Sequence, residues 1–252
     1  MREIGASGEL ASLVPERIWQ ETCRALGESH PSEFIRVLQR CGALAHLFPD
    51  VAALEGVPQS AKYHPEGDAF VHTMMVLDTA AQISPDTRVR FAALVHDLGK
   101  AQTPREEWPR HIKHEHRGVT VVNQFCDGLR VPTDYRDLAI LVTREHLLMH
   151  RLAELRTETV LKLLNRLDGF RRPERVVLFS MACRADAAGR GDGAIGDYPP
   201  EQLLEDYLNA ANGIDLSDLA DSALDGNARK QVVEQRRIDA IGEVHQRNRE
   251  SG

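Results

Sequence analysis

The chain has 252 residues, 42% hydrophobic and 27% charged, an ordinary balance for a soluble protein of one large or two small domains. Its net charge of −7 argues against a globally basic nucleic-acid binder, although it leaves local basic patches open. No apolar run approaches the ~18–20 residues of a membrane span, and Met1–Gly5 begins no apolar signal segment. A cytoplasmic protein with no membrane partner is therefore expected. Cys23, Cys41, Cys126 and Cys183 show no CxxC spacing and sit in apolar helical contexts, which predicts reduced, buried thiols.

Residues 1–12 carry no strong pattern and read as a tail. From there almost every periodic stretch has helical spacing. Pro15 opens a helix over 15–27 with Ile18, Trp19, Thr22 and Leu26 on one face. Ser32 and Gly42 bracket a second as N-cap and C-terminal glycine. Asp68 precedes a helix to residue 83 carrying Val71, Met74, Met75 and Asp78, and 86–98 follows with Val89, Ala92, Ala93 and His96 before Gly99. Residues 99–113 read as a loop. Helices are expected over 115–127, 133–149, 157–168 and 174–188, the last carrying Val176, Phe179, Cys183 and Asp186. The Gly-rich stretch 189–200 separates a main domain, 13–190, from a C-terminal segment, 191–252, with helices near 200–211 and 227–246. There is no period-2 strand and no βαβ alternation, so the fold class is all-α.

Three separate helices put ligand-type side chains on or next to apolar faces: His72, the adjacent pair His96 and Asp97, and Asp186. An unpartnered polar side chain in a core costs a few kcal/mol, and a divalent cation would remove that cost. A set of two nitrogen and two oxygen ligands suits Mg²⁺, Mn²⁺, Fe²⁺, Ni²⁺ or Zn²⁺ better than a structural thiolate site. His114 and His146 extend the series to a two-metal set, while the shorter set serves one metal. His146 and His150 lie one turn apart, so either can be the inward one. His64 either lines the pocket or closes a turn, and His30, His46 and His245 read as surface or packing residues. Lys100, one turn from His96, is either a phosphate partner or a solvated charge at a helix C-terminus.

The set His72, His96-Asp97-Leu98-Gly99-Lys100 and Asp186 resembles the HD superfamily of metal-dependent phosphohydrolases. Longer stretches, among them KYHPEGDAFVHTMMVLD (62–78), RFAALVHDLGK (90–100), WPRHIKHEHRG (108–118) and ADAAGR (185–190), are similar to the C-terminal part of bacterial CCA-adding enzymes, the multifunctional tRNA nucleotidyltransferases. The resemblance covers roughly residues 13–245. It implies an HD-domain helical bundle with a C-terminal helical extension. His72, His96, Asp97 and Asp186 would hold a divalent metal such as Mg²⁺, Mn²⁺ or Ni²⁺, and Asp97, Lys100, His114 and His146 would act in catalysis.

The implied activity is hydrolysis of 2′,3′-cyclic phosphates, 2′-nucleotides or other phosphomonoesters on a nucleotide or RNA 3′-end, with tRNA as a further partner. The Gly-Gly turn and following acidic pair of a nucleotidyltransferase head are not found in these residues, so nucleotidyl transfer is not expected of this chain alone. The alternative is a tRNA-binding helical module, or half of a split nucleotidyltransferase, without hydrolysis of its own. Its phosphate contacts would come from Arg171, Arg172, Arg175 and the last helix.

Overall fold

The computed structural model describes residues 13–191, 195–220 and 224–251. The expected tail, 1–12, and residues 192–194 of the Gly-rich stretch lie outside them. The helices, in order, are α1 (Pro15–Leu26), α2 (Ser32–Arg40), α3 (Leu44–Leu47), α4 (Pro49–Ala52), α5 (Ala69–Ile83), α6 (Thr87–Val95), α7 (His114–Leu129), α8 (Thr133–His150), α9 (Thr157–Arg166), α10 (Pro173–Ala188), α11 (Pro199–Asn212), α12 (Ser217–Ala220) and α13 (Gly226–Ser251). Among the described residues extended pairing is limited to a single bridge between Pro58 and Asp68. The fold is all-α.

Helix starts follow side-chain chemistry. Pro15 occupies the first turn of α1, where its missing N–H is no loss. Asp68 caps α5 by accepting from the Val71 N–H at 3.0 Å, and its other oxygen accepts from Gly56 N–H at 2.8 Å. Asp86 caps α6 through the Arg88 N–H at 2.9 Å. Ser32 departs from expectation. Pro31 holds the cap position, and the Ser32 hydroxyl donates to Asp78 Oδ2 at 2.6 Å while its N–H donates to Oδ1 at 3.0 Å. The serine thus satisfies a carboxylate of α5, on the less buried face it shares with Val71 and Met75, instead of its own helix.

Two compact units divide the chain. Of the described residues, the first comprises those up to 147 together with those of 181–197; the second comprises 148–180 and those from 198 onward. In the first, α5 and α6 are buried on nearly every face, as central helices must be. Trp19 meets Phe91 and Tyr135 edge-on, at ring-centroid distances of 5.2 and 5.0 Å, and Phe48 stacks on Phe125. Arg90 is buried among carbonyls: it donates to Leu26 and Glu28 after α1 and to Ala81 and Ser84 at the end of α5, at 2.6–3.2 Å. One guanidinium so satisfies the exposed carbonyls of two helix ends.

The expected helix over 86–98 stops early. It ends at Val95, His96 follows as its cap, and Leu98–Gln102 forms a 3₁₀ turn. That tighter turn lays Gly99 directly on α7. A Cβ at Gly99 would stand 2.0 Å from the His114 carbonyl oxygen and 2.6 Å from Gly118 N, and one at Gly118 would stand 2.7 Å from the Thr143 methyl. The expected loop 99–113 also holds a second short turn, Arg105–Glu107, and α3 and α4 were not anticipated. Of the thiols, Cys126 and Cys183 are buried as expected, but Cys23 and Cys41 are half-exposed; none of the four is in a disulfide.

In the second unit α13 packs against α9 and α11. Tyr207, fully buried, donates or accepts at His245 Nδ1 over 2.8 Å, and Arg237 lies 3.6 Å from the Phe170 ring centre. Arg171 and Arg172 lie 3.6 Å from opposite oxygens of Asp168. No described helix is long and apolar enough to cross a membrane.

Candidate metal centre

Close backbone approaches gather the polar residues of the first unit. Gly99 brings the His96-Asp97 turn onto α7, which begins at His114. Gly189, just past α10, touches α5: a Cβ there would meet Val76 Cα at 2.7 Å. That contact sets Asp186 beside His72. His72, His96, Asp97, Lys100, His114, His146 and Asp186 are all buried. His72 Nε2 lies 3.1 Å from Asp186 Oδ1, and His96 Nε2 lies 3.2 Å from Asp97 Oδ2 and 3.7 Å from Asp186 Oδ1. On the other side Asp97 Oδ1 stands 3.2 Å from His114 Nε2 and 3.9 Å from His146 Nε2. The ligand atoms fall into two trios, His72–His96–Asp186 and Asp97–His114–His146.

The other ring nitrogens decide what the inward ones offer. His96 Nδ1 donates to the Ala93 carbonyl at 2.8 Å, His114 Nδ1 to the His111 carbonyl at 2.9 Å, and His146 Nδ1 to the Val142 carbonyl at 3.0 Å. A carbonyl can only accept, so Nδ1 carries the proton and Nε2 of each neutral ring is left as a lone pair. Lone pairs therefore point at carboxylate oxygens across the cavity. His96 Nε2, His114 Nε2 and Asp97 Oδ1 are buried and make no hydrogen bond of acceptable geometry. Such an arrangement is repulsive unless protons or a cation fill the gap. The electrostatics agree. Burial alone would lower His96, but Asp97 and Asp186 outweigh it and raise it to about 10. Burial would likewise raise Asp97, yet His96, Lys100 and His114 hold it well below the usual carboxylate range. Burial pushes His146 down to about 3.

These residues fit a divalent cation. Neutral imidazole Nε2 atoms with Nδ1–H donated to backbone oxygen are the orientation that metal ligation requires. His72 differs from the others, because its Nδ1 lies 2.7 Å from Glu66 Oε1, at an angle outside the hydrogen-bond range. Burial would raise Glu66, but the contact with His72 and backbone N–H groups bring it to about 2. His64 reaches the same Glu66 oxygen at 3.0 Å, with its ring 4.6 Å from that of His72; it lines the cluster. Burial, Lys100 and His72 lower it to about 4.

Lys100 is no solvated helix-end charge. Its side chain is 7% exposed, its ammonium stands 2.5 Å from Asp97 Oδ2, and it donates to Gln59 Oε1. His150 does not join the cluster; it pairs with the Tyr198 hydroxyl at 2.8 Å. His111 is buried but bonded to Thr103 and to the Pro58 carbonyl, at 2.7 Å each. Sequence reasoning missed Glu66, Gln59 and Arg190, whose Nη2 lies 3.2 Å from each oxygen of Asp186. Glu66 and Arg190 fall inside the KYHPEGD and ADAAGR stretches, which carried the signal.

The model of the HD domain matches residues 69–188, which span α5 to α10 and contain all six residues of the two trios. Residues 69–188 thus carry an HD domain. A second model, described as the probable RNA and SrmB-binding site of polymerase A, matches residues 4–54. Relatives named Multifunctional CCA protein align with nearly the whole chain. Those of Nitrosococcus oceani and Xanthomonas euvesicatoria are 49% and 51% identical over 96% of it, and that of Thioalkalivibrio sulfidiphilus is 50% identical over 97%. The chain spans 59–60% of the length of these relatives and matches their C-terminal part.

Proposed function

We propose that this chain is a metal-dependent phosphohydrolase acting on 2′,3′-cyclic phosphates, 2′-nucleotides or phosphomonoesters, with a nucleotide or tRNA 3′-end as substrate, in the cytoplasm. The observation that carries the reading is the convergence of imidazole lone pairs and carboxylate oxygens in a buried gap, with the outer ring nitrogens committed to backbone carbonyls. His72, His96, Asp97 and Asp186 would hold Mg²⁺, Mn²⁺ or Ni²⁺, and His114 and His146 would complete a second position with Asp97. A divalent cation bound there would supply polarisation of the phosphoryl oxygen and a water acidic enough to be deprotonated near neutrality.

The remaining work falls to the chain. Asp97 Oδ1, facing His114 and His146, accepts the proton of the attacking water. Lys100, fixed by Gln59, holds the Asp97 carboxylate in place and balances the charge a phosphate brings. The exclusion of bulk water from the cluster strengthens each of these interactions. In hydrolysis of a cyclic phosphate the water oxygen bonds to phosphorus, one ribose oxygen leaves, and a proton passes to it.

The test is hydrolysis of 2′,3′-cyclic AMP and 2′-AMP with added Mn²⁺ or Ni²⁺. Asp97→Asn keeps the side-chain shape and is expected to lower the rate by about 10³-fold or more, with its circular dichroism unchanged. An unaltered rate in that variant places the chemistry elsewhere. The polymerase A RNA-binding match over residues 4–54 favours a second reading, a tRNA-binding module. It predicts that Asp97→Asn retains tRNA in a filter-binding assay and that the wild-type protein hydrolyses none of these substrates.

A further inference from the structure

Arg190 stands apart from the other charged groups around the cluster. Its side chain is 27% exposed, against 3% or less for His72, His96, Asp97, His146, Glu66 and Asp186. Lys100, the other permanent cation, is enclosed between Asp97 and Gln59 and is 7% exposed. The backbone fixes Arg190 from both directions. Gly189 is pressed against Val76 of α5, and Gly191 adopts a φ of +63°, a conformation suited to glycine. From there the Gly191 N–H donates to Glu66 Oε2 at 3.3 Å. The sequence Gly-Arg-Gly thus holds one arginine between Asp186 and Glu66, at the accessible side of a buried acidic and imidazole cluster.

We propose that Arg190 binds the phosphoryl group of the substrate, keeping one edge on Asp186 and presenting its guanidinium to phosphate oxygens. This rests on the phosphohydrolase reading of the same site. Nη2 engages both oxygens of Asp186, and the planar guanidinium fork with its five N–H donors matches phosphate geometry. The charges also match. Glu66, Asp97 and Asp186 are offset in part by Lys100 and Arg190, and one divalent cation makes the cluster net positive, the sign an incoming phosphate needs. No proton or electron is moved; the role is binding and charge balance at the reacting phosphorus.

The experiment measures two affinities separately. Mn²⁺ binding is followed by electron paramagnetic resonance, and inorganic phosphate binding to the Mn²⁺-loaded chain by calorimetry. Arg190→Gln is expected to weaken phosphate binding about tenfold or more, the loss of a charge-assisted contact, with Mn²⁺ binding unchanged or tighter. Arg190→Lys is expected to recover part of the phosphate affinity. Phosphate binding that is absent in the wild type, or unchanged in Arg190→Gln, overturns the proposal. So does a parallel loss of Mn²⁺, which would reduce Arg190 to a positioning residue for Asp186. If Arg190-dependent phosphate binding stands but 2′,3′-cyclic AMP is not hydrolysed, this inference survives and the phosphohydrolase reading falls.

Discussion

Asp97 with Lys100 and Asp218 with Arg236 are ion pairs of the same length, 2.5 Å, in different surroundings. The first pair is 2% and 7% exposed and sits among imidazoles; the second is 59% and 32% exposed. Water screens the second and leaves the first nearly unscreened. Distance alone therefore says little about what an ion pair does. In the buried cluster every charge removed leaves another uncompensated, so that region tolerates little change. At the surface of α12 and α13 the partners can part without consequence.

The largest effect is expected at a glycine. Gly99→Ala drives a methyl into the His114 carbonyl and the backbone of Gly118, and it is expected to destabilise the protein by about 3 kcal/mol, the upper range of overpacking. Mn²⁺ affinity should fall with it. Gly128→Ala, in an exposed turn of the same helix α7 with nothing within 4 Å of the added carbon, should stabilise by about 0.5–1 kcal/mol. Urea denaturation of the two variants reads both signs, and a mild effect at Gly99 would mean that the contact with α7 does not set the site.

Next in size is the cation itself. Mn²⁺ at one hundred times its dissociation constant should stabilise the wild type by about 2.7 kcal/mol, seen as a rise in the thermal midpoint that chelation reverses. Asp97→Asn should show a much smaller rise. An equal rise in both would move the cation away from the cluster.

The smallest effects lie at the half-exposed and exposed carboxylates. Asp86→Ala should lose about 1 kcal/mol as a helix cap. Hydrogen bonds from Arg88 hold Asp86 below its ordinary value. A carboxylate with a depressed folded-state pKa contributes stability that is present above its unfolded pKa and lost as pH falls through the folded one. The gap between wild type and variant should therefore close on acidification below the usual carboxylate range. Arg236→Gln, which breaks the exposed pair with Asp218 and an exposed hydrogen bond to the Asp215 carbonyl, should move the denaturation midpoint little at any pH.

Much of this organisation was legible in the sequence because the signals are local. Pro15, Asp68 and Asp86 mark helix starts through chemistry within one turn, and the apolar period places His72, His96 and Asp186 on inward faces. What escaped depends on long-range contact. Ser32 has the composition of a cap, yet its oxygen serves Asp78, 46 residues away. The end of α6 at Val95 follows from the fit of Gly99 against Gly118, which no propensity near residue 95 encodes. Glu66 and Arg190 are ordinary charged residues until α5 and α10 are brought together at Val76 and Gly189.

The histidine anchors carry a consequence for robustness. His96, His114 and His146 are each tethered to a carbonyl three or four positions earlier in their own segment, so the aim of these rings is written into single turns of backbone. They inherit the fidelity of the helix and survive sequence drift elsewhere. His72 instead leans on Glu66, delivered by the 58–68 segment. Errors of aim should therefore accumulate unevenly, with lesions in that one segment misdirecting His72 while the other rings stay true.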